Sequence, residues 1–161
     1  ALLRLGAAGM LAAAAAAPAV AAAQGGTATA GVFRRFADRV VKVHVVESGS
    51  AAKASIGSGF FVTGAGHVVT NYHVVSEVIR APERYRAEMV DVAGATRPVT
   101  VLAVDVVHDL AILATGVRPP AHFALAGPAV AQGDRLYALG HPRDLGLSIV
   151  EGTFNGNLQH T

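Results

Sequence analysis

The sequence contains no cysteine. That excludes disulfide staples, zinc sites built on thiolates, iron–sulfur ligation and any thiol nucleophile, and it leaves export open. Charge is scarce as well: 13 Lys and Arg against 11 Asp and Glu make 15% of the chain, with a net charge of +2. Beside 52% hydrophobic residues, so few charges argue against global disorder. Basic residues never run longer than the pair Arg34-Arg35, and no basic–aromatic pattern accompanies them. The surplus is two charges and not a patch, so nucleic acid is not an expected partner. Neither GxxxxGKS/T nor a strand–helix GxGxxG occurs, and HExxH is missing too. No internal repeat of fixed period stands out.

What is present begins with an apolar leader. Residues 1–23 hold 13 alanines, with Arg4 ahead of an apolar stretch from Leu5 to Ala17 that Pro18 breaks. Ala19-Val20-Ala21 then supplies a small-x-small pattern, and a second possible cut follows Ala23. This is the layout of a cleaved secretory signal. The alternatives are a retained anchor and a buried helix. The run before Pro18 is shorter than the roughly 20 residues of a spanning helix. Periplasmic or secreted protein, with no stable membrane insertion after cleavage, is therefore the expectation. Residues 24–31 (QGGTATAG) read as a small, polar linker.

From Gly31 onward the texture is short strands and turns, after one or two helical turns over Val32 to Asp38. Val40 to Val46 is Val-rich and partly alternating, which favours strand. Ile56 to Val62, His67 to Thr70, Tyr85 to Val92, Pro98 to Val107 and Asp109 to Ala114 follow as further strands. Asn71 to Val78 is expected to close the third strand with a short helical turn, Val74, Val75 and Val78 facing inward. Val117 to Phe123 carries Pro119-Pro120 and reads as a linker. Residues 132–140 turn at Gly133 and enter a strand, and Leu147 to Asn157 reads as strand, turn, strand. No segment between 32 and 161 carries a helical pattern of 12 or more residues. The fold class is all-β, barrel or sandwich.

Among seven histidines and eleven acids, two positions draw notice. His73 stands at a strand end in Thr70-Asn71-Tyr72-His73, and Asp109 is set between two apolar strands. A carboxylate buried there needs a partner. A histidine whose second ring nitrogen bonds it satisfies both groups, and the ring is then held in the tautomer that accepts a hydroxyl proton. Taken singly, each residue has a blander reading, the histidine as a core or surface residue and the aspartate as a turn residue. Spacing alone does not join them.

The blocks GSGFFV (57–62), HVVTNYHVV (67–75), HDLAILAT (108–115) and GDRLYALGHPRDLGLSIVEGTFNG (133–156) together resemble the trypsin-like serine proteases of the HtrA (Deg) type. The resemblance implies two perpendicular six-stranded β-barrels with the site between them, no cofactor, polypeptide substrates, and a possible homo-oligomer. It implies His73 as general base and Asp109 as its orienting carboxylate. It matches Gly140-His141-Pro142 to a Gly-x-Pro segment after the first strand of the second barrel. One part of the pattern is missing. None of the six serines, 48, 50, 55, 58, 76 and 148, lies in the family's Gly-x-Ser-Gly-Gly motif. Ser58 in GSG stands where the resemblance implies a structural residue, and Ser148 corresponds to the strand after the Gly-x-Pro loop.

The expected organisation is signal peptide 1–23, linker 24–31, first barrel 32–117, and linker plus the first strands of an incomplete second barrel over 118–161. On that reading the chain is a truncated serine endopeptidase, inactive by itself, whose parent acts on exported, misfolded or unfolded proteins. The rival is a non-catalytic β-barrel binding module, or a degenerate homologue keeping the His–Asp pair as a relic. A zinc site from His67, His73, His108 and Asp109 is a weaker rival. Mass spectrometry checks the leader: protein recovered outside the cytoplasm should begin at Ala22 or Gln24, and an intact leader there reverses the reading in favour of an anchor.

Overall fold

The structure, a computed structural model, describes residues 24–124, 130–142 and 146–156. The leader lies outside them. Helix α1 (Gln24–Phe36) leads through a 3-10 turn (Ala37–Arg39) into β1 (Val40–Glu47), β2 (Lys53–Phe61) and β3 (His67–Thr70). Helix α2 (Tyr72–Arg80) follows, then β4 (Tyr85–Val90), β5 (Thr96–Asp105) and β6 (Leu110–Ala114), and finally β7 (Arg135–Gly140) and β8 (Ser148–Thr153). The first six strands close a barrel in the order β1-β2-β3-β6-β5-β4, while β7 and β8 form a separate two-stranded sheet. All pairings are antiparallel. The all-β expectation holds: a closed first barrel stands beside an open sheet that begins a second.

Closure puts one side of every strand inside, and the inward positions are apolar. Val41, Val43 and Val45 of β1, Phe61 of β2, Val68 of β3, Ala87 and Met89 of β4, and Ala111 and Leu113 of β6 form the core. Val74 and Val75 of α2 join it, so the helix plugs one end of the barrel. Its approach depends on a missing side chain: a Cβ on Gly57 would lie 2.4 Å from a methyl of Val74. At the far end Gly66, with φ +87°, makes the turn before β3, where a Cβ would meet the Val117 carbonyl at 1.9 Å.

Two bonds tie the open sheet and the connecting segment to the barrel. The His141 N–H donates to Ser58 Oγ at 2.8 Å, and the Phe123 N–H donates to the Phe61 carbonyl at 2.8 Å. The GSG serine therefore joins the first barrel to the Gly140-His141-Pro142 loop.

Three expectations change. The linker 24–31 is helical, because α1 spans Gln24–Phe36 and is held from outside itself. Phe36 stacks on Phe123 with ring centroids 5.6 Å apart, and the Arg39 guanidinium lies 4.6 Å from the Phe36 ring. Thr29 Oγ1 donates to Glu151 Oε2 of β8 at 2.8 Å. Within 147–156 there is one strand, β8 (Ser148–Thr153), and not two: Gly152 stays in the ladder opposite Leu136; Asn157 is outside the described residues. Asp109 is not a strand residue; β6 starts at Leu110.

Leu113, fully buried among these side chains, is the sharpest probe of the core. Leu113→Ala should lower unfolding free energy by about 2–5 kcal/mol through lost burial and the cavity left behind. Urea denaturation followed by circular dichroism measures it.

Candidate active site

The register of β3 on β6 builds the site. Thr70 pairs with Ala111, and two residues further along the same register Tyr72 lies opposite Asp109. There the Tyr72 N–H donates to the Asp109 carbonyl at 3.1 Å. A separation of 36 residues is thus closed by one strand pair carried past its end. Asp109 ends the β5–β6 turn with φ +54°, in the left-handed region that aspartate tolerates better than most residues.

A helix begins with N–H groups that have no partner inside it. In α2 the residue at the N-cap position is Asn71, yet its side chain makes no capping bond. The cap comes from across the barrel rim: Asp109 Oδ1 accepts from the His73 N–H at 2.9 Å. A carboxylate at this end of a helix is also favoured by the helix dipole. The same carboxylate reaches the His73 ring, with Nδ1 and Oδ2 2.6 Å apart. An ionised carboxylate only accepts, so the proton in that bond sits on Nδ1 and Nε2 is left as an acceptor. Asn71 Nδ2 completes the cluster, donating to the Asp109 carbonyl at 3.1 Å and to Oδ2 at 3.2 Å. The backbone and ring bonds from His73 hold the Asp109 carboxyl below the usual carboxylate range, with a smaller contribution from Asn71.

The pair is solvated. The His73 side chain is 69% exposed and that of Asp109 43%, so the acid is not buried between strands as its apolar neighbours in sequence implied. The sequence reading also missed Asn71; its only signal was its place in Thr70-Asn71-Tyr72-His73.

No serine hydroxyl bonds the His73 ring among the described residues. Ser58 Oγ is taken up by the His141 N–H, and Ser76 donates to the His73 carbonyl at 3.2 Å. Ser58 and Ser148 line a separate cavity of about 290 Å³ between the barrel and the open sheet, with Gly140, His141 and Pro142. The residues named as a zinc rival turn to different partners. His67 Nδ1 lies 2.9 Å from Thr63 Oγ1, and His108 Nδ1 lies 2.6 Å from Asp105 Oδ2. Among the described residues no three potential ligands converge on a metal position. Nor is any helix there long and apolar enough to cross a membrane.

Known proteins resemble most of this chain. The family profile described as "Trypsin-like peptidase domain" matches residues 57–160. The bovine (Bos taurus) mitochondrial serine protease HTRA2 is 33% identical over 129 residues, covering 76% of this chain and 27% of that protein. Among solved structures, the serine endoprotease from Yersinia pestis aligns with a TM-score of 0.64 at 22% identity, covering 80% of this chain and 44% of the other. Deg5 aligns with a TM-score of 0.63 at 23% identity, covering 83% and 65%. The chain thus spans about a quarter of the curated relative and roughly half to two thirds of the two solved chains.

Because folding depresses the Asp109 carboxyl, its contribution to stability is present above the ordinary carboxylate pKa of about 3.9 and is lost as pH falls through the folded value. Asp105, lowered by its bonds to His108, has the same sign. The urea midpoint should therefore be level above about pH 5 and decline below about pH 4. Asp109→Asn, which keeps a capping oxygen but does not titrate, should flatten part of that decline; an identical decline in the variant shows that Asp109 is not among its causes.

Proposed function

The chain belongs to the trypsin-like peptidase family, in its HtrA/Deg branch, and from that premise we propose that it carries the base and orienting acid of a serine endopeptidase. The observation that carries the proposal is the double engagement of His73 by Asp109, N–H to Oδ1 and Nδ1 to Oδ2. His73 Nε2 is the base that takes the proton from a serine hydroxyl as it attacks a peptide carbonyl. The same nitrogen returns that proton to the leaving amine. Asp109 fixes the tautomer and stabilises the imidazolium that forms between the two steps.

A base without a nucleophile within reach does no acyl transfer. No serine here lies in Gly-x-Ser-Gly-Gly, so the proposal assigns the nucleophile and its oxyanion donors to sequence outside these 161 residues, and the 161-residue chain is inactive by itself. In domain terms, 32–117 is the first barrel and 118–161 the connection and opening strands of the second. The proposed substrates are unfolded or misfolded polypeptides met after export, with 1–23 as the signal and with no cofactor. A homo-oligomer is proposed for the longer form. The second reading is a binding module whose His–Asp pair is a relic.

Casein cleavage separates the two readings. The forms to compare are the 161-residue chain, the chain extended through a native Gly-x-Ser-Gly-Gly segment, and that longer form carrying His73→Ala or Asp109→Asn. Activity is expected only in the unmutated long form. Asp109→Asn should lower kcat by about 10⁴-fold, and His73→Ala by at least as much. Activity of the short chain that disappears on mutating Ser58 or Ser148 relocates the nucleophile. A long form that keeps the motif and stays inactive supports the binding module.

A further inference from the structure

We propose that Asn71 is a positioning residue for the His73–Asp109 pair, acting through its amide donor and not as a helix cap; only the activity arm below rests on the peptidase reading. Asparagine at an N-cap ordinarily accepts a bond from the second or third N–H of its own helix. Asn71 has the backbone of an N-cap, φ −81° and ψ 146°, but no such bond. Asp109 has taken that role with Oδ1. The displaced amide turns to Asp109 itself and spans two of its oxygens, the carbonyl at 3.1 Å and Oδ2 at 3.2 Å. Both partners only accept, so the orientation of the amide is fixed by chemistry: Nδ2 faces Asp109.

Two bonds from one NH2 group to the main chain and side chain of a single residue close a ring around its rotatable bonds. The ring includes a residue at φ +54°, where the backbone is otherwise disfavoured. Oδ2 then holds two donors, the Asn71 amide and His73 Nδ1, while Oδ1 holds the helix N–H. With all three in place the carboxylate cannot rotate without breaking several bonds at once. The other charged and titratable groups on the packed elements are Tyr72, Glu77 and Arg80 on α2, His67 on β3, Arg97 and Asp105 on β5, and His108 in the β5–β6 turn; Asp105 pairs with His108 and Glu77 with Arg80.

The substitutions Asn71→Ala, Asn71→Asp and Asn71→Ser in the 161-residue chain discriminate the two roles. Carbon-13 NMR follows the Asp109 carboxyl through its titration, and proton NMR follows the His73 Nδ1–H resonance. The titration midpoint of Asp109 should rise in Asn71→Ala and rise further in Asn71→Asp, where an acceptor replaces the donor. Asn71→Ser, with a shorter single donor, should fall between wild type and Ala. The Nδ1–H resonance should broaden in the same order. If Asn71 were only a cap, Asn71→Ser would match wild type, since serine and asparagine cap about equally well; that result overturns the proposal. In the long form, Asn71→Ala should reduce kcat by about 10- to 100-fold with KM within about twofold, and an unchanged kcat also overturns it. A long form inactive with Asn71 intact defeats the peptidase reading, while the NMR arm still decides the role of Asn71.

Discussion

The carboxylate of Asp109 stands at the N-terminus of α2, and the geometry of the site depends on that placement. Its two oxygens have separate duties. Oδ1 satisfies a helix N–H that has no partner within α2, and Oδ2 meets the ring of the residue bearing that N–H. The helix is therefore anchored by the same group that orients the imidazole, so a shift of one is a shift of the other. A backbone N–H is a fixed donor, and a carboxylate bonded to it keeps its bearing better than one held by side chains alone. This matters because both groups are largely solvated. An exposed ion pair contributes little by its charge and is screened by salt; here the order comes from hydrogen bonds, the main-chain one first and the side-chain ones with it, with the Coulomb attraction secondary.

The barrel supplies what the carboxylate cannot. Val74 and Val75 seat α2 in the core immediately after His73, leaving the imidazole on the open side of the same turn. Gly57 admits Val74 at close range, so the GSG segment sets the depth of the helix with one residue. With the next it holds the following sheet, through Ser58 Oγ and the His141 N–H. Adjacent residues of one strand thereby fix the His–Asp half of the site and the position of the second sheet relative to it. The GSG glycine has its reason in packing and the serine in a hydrogen bond; neither residue needs a chemical role to account for its place.

Most of the barrel was legible in the sequence because its strands are short, Val-rich and punctuated by glycine, and because inward positions such as Ala87 and Met89 alternate with polar ones. The pairing of His73 with Asp109 was readable only through the resemblance of motifs, since spacing does not reveal register. What escaped the reading shares a cause. Helix α1 opens on Gln24 followed by two glycines and a threonine and has a weak local signal; it is held by Arg39 in the turn that follows it and by Phe123 and Glu151 from elsewhere in the chain. Asp109 is half-exposed at a positive φ, and no side-chain pattern encodes either. Asn71 looked like a helix-starting residue because it occupies that position, and only the arrival of a better-placed carboxylate shows that it does something else.

A division of labour follows. His73, Asp109 and Asn71 all come from the first barrel, at the β3–α2 junction and the β5–β6 turn. None of their mutual bonds crosses to β7 or β8. Under the peptidase reading, docking a serine-bearing segment then has to supply a hydroxyl and oxyanion donors but need not assemble the base. The parts that must align are consequently the two barrels as bodies. Among the described residues, the Ser58–His141 bond and the Thr29–Glu151 bond are contacts that set the open sheet against the rest of the chain. Changes there would act on the distance between base and nucleophile while leaving the His73–Asp109 geometry intact, a different failure from the loss of orientation that follows from disturbing Asp109.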